Sequence, residues 1–274
     1  MSDRTARKNW FIFKFILVGI WLALLCGLLM RDAFITSVSI QERNIRREAD
    51  REEYQGIYFN NAKIGYMVNR YETGDSGTLH IDQLAEIHIN VAEMVHRVIL
   101  RLQADLLEDN SLHAFDISLE SPFQTMHAKG EVAGNVIDIN LQTGNESLHK
   151  QVPVDSSPVI PSARRSYLLK KGIQPGDKMK LPFFDPMSLA TRNTVVEYKG
   201  LDDVFVNGRV LPLHKFMQTI SGVRLNFWLD DAGDVVKEES PAGFVFLKEP
   251  KYRAMAEETI EPISADFLNE LIRP

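Results

Sequence analysis

Cysteine is nearly absent from this 274-residue chain; Cys26 is its only one. It lies inside an apolar run, so the rest of the chain offers no disulfide, no thiolate nucleophile and no cysteine metal ligand. Stability must come from a packed core. Sequence motifs of chemistry are missing as well. There is no G-x-S-x-G, phosphate loop, dinucleotide fingerprint or H-E-x-x-H. No repeat and no low-complexity tract occurs. Positive charge is scarce too. Residues 1–14 carry net +3, which leaves −9 on the remainder of a chain whose total is −6. Such a remainder argues against nucleic acid, or anionic lipid headgroups, as a partner over a broad surface. Arg164-Arg165 and Lys170-Lys171 stand out only as local basic pairs.

What is present begins with residues 10–30, WFIFKFILVGIWLALLCGLLM, apolar except for Lys14. At 1.5 Å per residue the run is long enough to cross a hydrocarbon layer of roughly 30 Å. Arg4, Arg7, Lys8 and Lys14 lead into it, while Arg31 and Asp32 cancel after it. This asymmetry predicts a single-pass signal anchor in the inner membrane of a bacterium, with residues 1–9 cytoplasmic and the C-terminal domain in the periplasm. No A-x-A pattern follows to suggest a cleaved signal peptide, and Leu25 before Cys26 does not fit a lipoprotein site. Gly19, Ala23 and Gly27 recur every four residues, a small-residue stripe that lets two membrane helices approach closely.

Residues 31–55 are highly charged and read as a juxtamembrane linker or helix. From residue 56 the period becomes two. Apolar and polar residues alternate over 63–68, 98–106, 113–120, 137–142 and 223–229. Turn residues separate the runs, with Asn207-Gly208 the strongest hairpin signal. The expected fold is mainly β: a large curled antiparallel sheet over residues 56–258, half-open and barrel-like, with one or two short helices. Helical character appears at 161–171, ending at Gly172, and again at 252–258. Residues 259–274 form a C-terminal tail. A two-domain alternative would break at 153–161.

Candidate chemistry is sparse. His80, His88 and His96 are spaced by eight, about 26 Å on one strand, too far for a shared metal. A reversal near 91–93 would bring His88 and His96 together, yet two ligands do not close a metal site. The Asp230 to Asp234 stretch lacks the spacing and terminal glutamate of an EF-hand, and a turn explains it. No catalytic residue, metal or cofactor is expected. The aromatics of the second half suggest either ordinary core or an apolar groove inside the curled sheet. Val98, Leu100, Leu102, Phe183, Val223, Leu225 and Phe227 would line it.

Three stretches carry a resemblance: GIYFNNAKIGYMVNRYE (56–72), KGIQPGDKMKLPFFDPMSLATRNTVVEYKG (171–200) and NFWLDDAGDVVKEESPAGFVFLKEP (226–250). Together they resemble an uncharacterised bacterial envelope β-domain that often precedes a transglutaminase-like domain. The resemblance implies no catalytic residue here. It implies only an accessory role, and the alternative function expected is that of an accessory subunit to a separately encoded transglutaminase-like enzyme or protease. The pattern of sheet and helix is also similar, in architecture alone, to unclosed-barrel periplasmic lipoprotein carriers. The function expected is a non-enzymatic, membrane-anchored binding or scaffolding protein of the cell envelope, holding a protein partner or a lipidic ligand.

Overall fold

The computed structural model describes residues 36–37, 51–74, 78–91, 94–109, 111–154, 158–160, 165–185, 190–220, 222–256 and 263–264. The chain divides into two units, Met1–Ser37 and Val38–Pro274. In the first, the described element is β1 (Thr36–Ser37). The run at 10–30, with Gly19, Ala23 and Gly27, lies outside the described residues. No helix among the described residues is long and apolar enough to cross a membrane.

The second unit is mainly β. One meander runs through β2 (Arg51–Phe59), β3 (Ala62–Thr73), β4 (Leu79–Val91), β5 (Met94–Leu106), β6 (Leu112–Glu120), β7 (Thr125–Ala133), β8 (Val136–Thr143) and β9 (Glu146–Pro153). A second runs through β10 (Lys178–Asp185), β11 (Ala190–Val206), β12 (Arg209–Ile220), β13 (Val223–Leu229), β14 (Val235–Glu239) and β15 (Phe244–Lys248). Neighbours within each meander are consecutive and antiparallel. The non-consecutive antiparallel neighbours are β15 and β2, which splice the two meanders into one sheet. A four-residue helix, α1 (Lys251–Ala254), follows β15. Beyond the Gly65–Ile87 pair, where β3 stops facing β4, β16 (Ile263–Ser264) pairs in parallel with Ile89 and Asn90.

Sequence explains the turns. Asn60 and Asn61 have φ of 48° and 68°, and Asn207 and Gly208 have 49° and 82°. Two consecutive positive φ values make the hairpin turn whose twist matches that of the strands. The sheet curls until its flanks nearly meet. Phe184 of β10 packs 4.7 Å from Phe115 of β6. The segment 158–160 stitches the gap. Leu112 N–H donates to Pro158 O at 2.9 Å, Val159 N–H to Pro182 O at 2.9 Å, and Phe184 N–H to Val159 O at 2.9 Å. The expected half-open sheet is therefore a nearly closed, barrel-like one.

Two apolar cores fill the inside. The first, under β3 to β8, includes Ile81, Leu102, Phe115, Ile137 and Phe184. The second, under β10 to β14, includes Met179, Val196, Phe216, Phe227 and Leu229. Alternation along each strand sends these residues inward and polar ones outward, as the period of two requires.

Three expectations need correction. Strand β2 begins at Arg51, so residues 51–55 belong to the sheet and not to a linker or helix. Their charges misled because Glu53 and Gln55 point inward and are buried. The expected helix at 161–171 is a 3₁₀ turn at Ser166–Leu168 within its described part. Arg165 N–H donates to Gly233 O at 2.7 Å, which ties the segment to the β13–β14 turn, and Leu168 plugs the second core. His88 and His96 do flank the reversal between Val91 and Met94, but the register is offset by one. His88 faces Arg97 while His96 faces Ile89. Neighbouring positions project to opposite faces, so the two imidazoles are separated by the sheet.

Gly130 lies opposite Phe115 in the β6–β7 register, and a Cβ there would meet the Phe115 ring at 2.3 Å. That ring is buried and wedged against Phe184. Gly130→Ala should destabilise the domain by about 1–3 kcal/mol through overpacking. Adding Phe115→Leu should recover part of that loss in a urea-denaturation double-mutant cycle; strict additivity would disprove the wedge.

Candidate functional site

The seven residues expected to form an apolar groove do not form one. Leu102 belongs to the first core, and Phe227 is stacked on Phe216 at 5.4 Å in the second. Leu100 and Val98 pack on a third cluster built on Ile57, Ile64, Ala85 and Ile89. Phe183 is buried, Leu225 half-buried and Val223 exposed. Phe183, Phe227, Leu181, Val196, Arg165 and Gln218 border a void of about 10 Å³. That is about one water, far too small for an acyl chain. The strand period places Leu102 and Phe227 in the two cores, while Val223 is exposed. It could not reveal that facing side chains fill the space.

One end of the interior is polar. Arg51 of β2 donates to both carboxylate oxygens of Asp234, with the Nη1–Oδ1 distance 3.3 Å. Lys248 of β15 donates to Asp234 Oδ2 at 3.0 Å and to Glu53 Oε1 at 3.1 Å. The two acids are buried while the two cations are part-exposed at the rim. Burial pushes Glu53 above the usual carboxylate range, against the pull of Lys248. At Asp234 burial acts in the same direction, but hydrogen bonds from Arg51 and Lys248 outweigh it and hold the carboxyl below its usual range. Beside this quartet, Gln83 Nε2 donates to Asn69 Oδ1 at 2.7 Å, while Glu53 Oε2, Gln55 Oε1 and Asn69 Nδ2 have no hydrogen-bond partner among the described residues. This belt fixes how β2, β14 and β15 meet. Sequence reasoning missed it, and its signal was base, acid and amide at alternate positions 51, 53 and 55.

The outer face carries a trough of about 600 Å³ across β5 to β8, lined by Arg97, Ser118, Glu120, His127 and Gln142 among others. Arg97 is engaged at its wall. Its Nη2 donates to Glu86 Oε2 at 3.0 Å, and Tyr66 Oη donates to the same oxygen at 3.1 Å. His88 Nε2 lies 2.9 Å from Glu86 Oε1. Burial raises the Glu86 pKa, but these partners prevail and keep it lowered. Ser118 stands opposite His127 in the register, and His127 Nε2 lies 2.6 Å from Asp116 Oδ1. The three residue types of a hydrolytic triad thus adjoin. No hydrogen bond joins Ser118 to His127, and the backbone around them is paired into ladders on both sides. Nucleophilic activation and oxyanion donors are thereby missing from this arrangement. Among the described residues no group of three or more His, Cys, Asp or Glu could hold a metal ion.

The third feature is the far half of the β11–β12 hairpin. After the bulge between Tyr198 and Gly200 it extends past the end of β13. One face, with Val204, Val206, Leu211 and Leu213, packs on Trp228, Val236 and Leu247. The other presents Leu201, Phe205 and Val210 at 66%, 70% and 62% exposure. Phe205 and Val210 are direct cross-strand neighbours. Sequence alternation cannot mark this arm, because it is apolar on both faces.

No family model matches the sequence, and no curated protein matches it. The fold is similar to that of a β-barrel-like protein of domain of unknown function DUF1849 from Brucella abortus. The TM-score is 0.54 at 10% identity, over 74% of this chain and 96% of that one. A DUF1089 family protein from Pseudomonas aeruginosa gives a TM-score of 0.36 at 14% identity, over 65% of this chain and 90% of its own. The first likeness supports the barrel-like architecture and says nothing of chemistry.

Removing one partner from the buried quartet leaves charges uncompensated. Asp234→Asn should cost about 3 kcal/mol near neutral pH, measured by chemical denaturation. Asp234 has a depressed folded pKa, so its contribution is present above the ordinary aspartate value of 3.8 and is lost as pH falls through the lower folded value. The variant should therefore lose stability less steeply than the parent below about pH 4. Parallel acid limbs would contradict this assignment.

Proposed function

We propose that this chain is a non-enzymatic scaffold of the bacterial cell envelope. Residues 10–30 anchor it in the inner membrane, the N-terminus is cytoplasmic, and the barrel-like domain stands in the periplasm to hold a protein partner. The observation that carries this reading is the filled interior. The inner void bordered by Leu181, Phe183 and Phe227 holds about one water, and residues expected to line a groove pack the cores, which favours work through the outside. It presents an outer trough and an exposed apolar arm. The lipidic ligand of the sequence reading is disfavoured because Leu102 and Phe227, expected to line its groove, pack the two cores.

The anchor reading rests on the apolar run and its basic N-terminal flank. Gly19, Ala23 and Gly27 would then face a second membrane helix, either of another copy or of the partner. The alternative reading makes this chain an accessory subunit to a separately encoded transglutaminase-like enzyme or protease.

Alkaline phosphatase fused after Pro274 should be active and a cytoplasmic reporter fused there should be dark; the reverse pattern overturns the localisation. Native mass spectrometry of the membrane-extracted protein should show a stoichiometric protein partner or a second copy. Gly19→Leu with Gly27→Leu should weaken that association. A clean monomer from the parent chain would refute the scaffold.

A further inference from the structure

We propose that the open edge of β9 pairs, antiparallel, with the same edge of a second copy of this chain, about a two-fold axis at Leu148. The contact belongs to the folded domain and is independent of the anchor.

Among the described residues β9 has one ladder partner, β8, in an unbroken register from Val136–Pro153 to Thr143–Glu146. Just past β9, Val154 N–H donates to Asn135 O at 2.8 Å. Hydrogen-bonded pairs alternate along an antiparallel ladder, so the even residues from 146 to 152 bond β8. The backbone groups of Ser147, His149 and Gln151 therefore point to the other edge. Pro153 shares their parity, and its carbonyl does point there, accepting from Thr191 Oγ1 of β11 at 3.4 Å. The flanks of the sheet meet at that end, where Val152 is buried in the first core. Across the gap, the edge of β10 is already bonded to Val159 through Pro182 and Phe184. Residues 146–151, by contrast, are all exposed. An unbulged, uncovered edge of this kind is a template for a further strand.

The strand that fits this edge is β9 itself. Glu146, Leu148 and Lys150 alternate along one face, with Leu148 at 56% exposure between an acid and a base. A two-fold at Leu148 sets that residue against its own copy and each Glu146 against the other copy's Lys150. On the open side these are the non-hydrogen-bonded positions, where facing Cα atoms lie about 4.5 Å apart and side chains meet most closely. Ser147 then faces the other copy's His149, and the two exchange backbone hydrogen bonds. Opposite charges directly across a strand pair attract, and like charges repel. Neighbouring axes lose this match. An axis at Lys150 opposes two lysines, one at Glu146 opposes two glutamates, and one at Ser147 or His149 sets a charge against Leu148. A lysine on an edge strand ordinarily blocks pairing, but here Glu146 answers it in one register.

The test is disulfide trapping of the full chain in detergent, in a Cys26→Ser background, read as covalent dimer on a non-reducing gel. Leu148→Cys should yield severalfold more dimer than Ser147→Cys or than Val210→Cys, an exposed position on β12. Two copies of position 147 lie diagonally across the axis, beyond the Cα separation of about 7 Å that a disulfide bridges. With Leu148→Cys in place, Glu146→Lys or Lys150→Glu should lower the yield to the control level. The two charge reversals together should restore it, which a misfolded variant would not do. The yield should persist when Gly19→Leu and Gly27→Leu are added; its loss there would assign the dimer to residues 10–30 and overturn the edge pairing. Control-level trapping at Leu148→Cys, or single reversals without effect, would also overturn it. A highest yield at His149→Cys would overturn the axis. Leu148→Cys that neither dimerises nor reacts with a maleimide in native membranes would mean that a different protein covers the edge, and would overturn the second copy as its occupant.

Discussion

The pairing of β15 with β2 joins the two meanders edge to edge in one sheet, and the polar belt depends on it. Five residues of each strand face one another, from Phe244–Phe59 to Lys248–Gln55. Glu249 N–H extends the ladder to Tyr54 O at 2.9 Å. Side chains lock both faces of the seam. Inside, Lys248 bridges Glu53 and Asp234. Outside, Glu249 accepts from Tyr58 Oη at 2.6 Å and from Lys63 Nζ at 3.3 Å, beneath α1. That environment pushes the Tyr58 pKa up to about 12, first by burial and then by the hydrogen bond to Glu249. The strands joined lie near opposite ends of the described sheet in sequence, so closing the seam carries the entropy cost of a long loop.

The polar belt beside the seam is better understood as a specifier than as a stabiliser. Desolvating Glu53 and Asp234 offsets much of their attraction to Arg51 and Lys248. The cations favour one site: Asp234 accepts hydrogen bonds from both Arg51 and Lys248, whereas Glu53 Oε2 has no hydrogen-bond partner among the described residues. A slip of β2 by one residue would send Arg51, Glu53 and Gln55 together to the other face and leave Lys248 with Asp234 alone. Fixed register at β2 in turn fixes β15, β14 and the β13–β14 turn, where Gly233 lies against the backbone of Ser166 at a distance no side chain would tolerate. Ser166–Leu168 is held there, and Leu168 closes the second core.

Much of the sheet could be read from the sequence because alternation and turn chemistry are local. The β4–β5 reversal, the Asn207-Gly208 hairpin and the inward set of Leu100, Leu102 and Phe227 all follow from short windows. The β15–β2 seam does not, since no residue pattern states which distant strand a strand will face. Residues 51–55 were misread because a charged strand looks like a solvated linker unless its buried partners are known. The 3₁₀ turn at Ser166–Leu168 was misread because its apolar spacing suits a helix, while a single hydrogen bond to Gly233 decides otherwise. The groove failed for a different reason. Which face a residue takes is local, but whether a cavity remains is a sum over side chains from both meanders.

That sum also directs attention outward. A curled sheet filled by its own side chains leaves its exterior and its appendages to make contacts. The β11–β12 arm is such an appendage, and it is held unusually firmly for a projecting hairpin. Trp228 lies between Lys215 and Lys237, with the two ammonium groups 5.0 and 5.1 Å from its ring centre. Asp202 accepts from that indole and from Lys215, first and most strongly from the indole, and its pKa is lowered accordingly. A loop bearing the same three apolar residues would lose conformational entropy on meeting any surface. A hairpin already fixed on one face has lost it during folding, so the free face meets its surface pre-organised. The rigidity of the buried side is therefore what gives the exposed side its value as a contact.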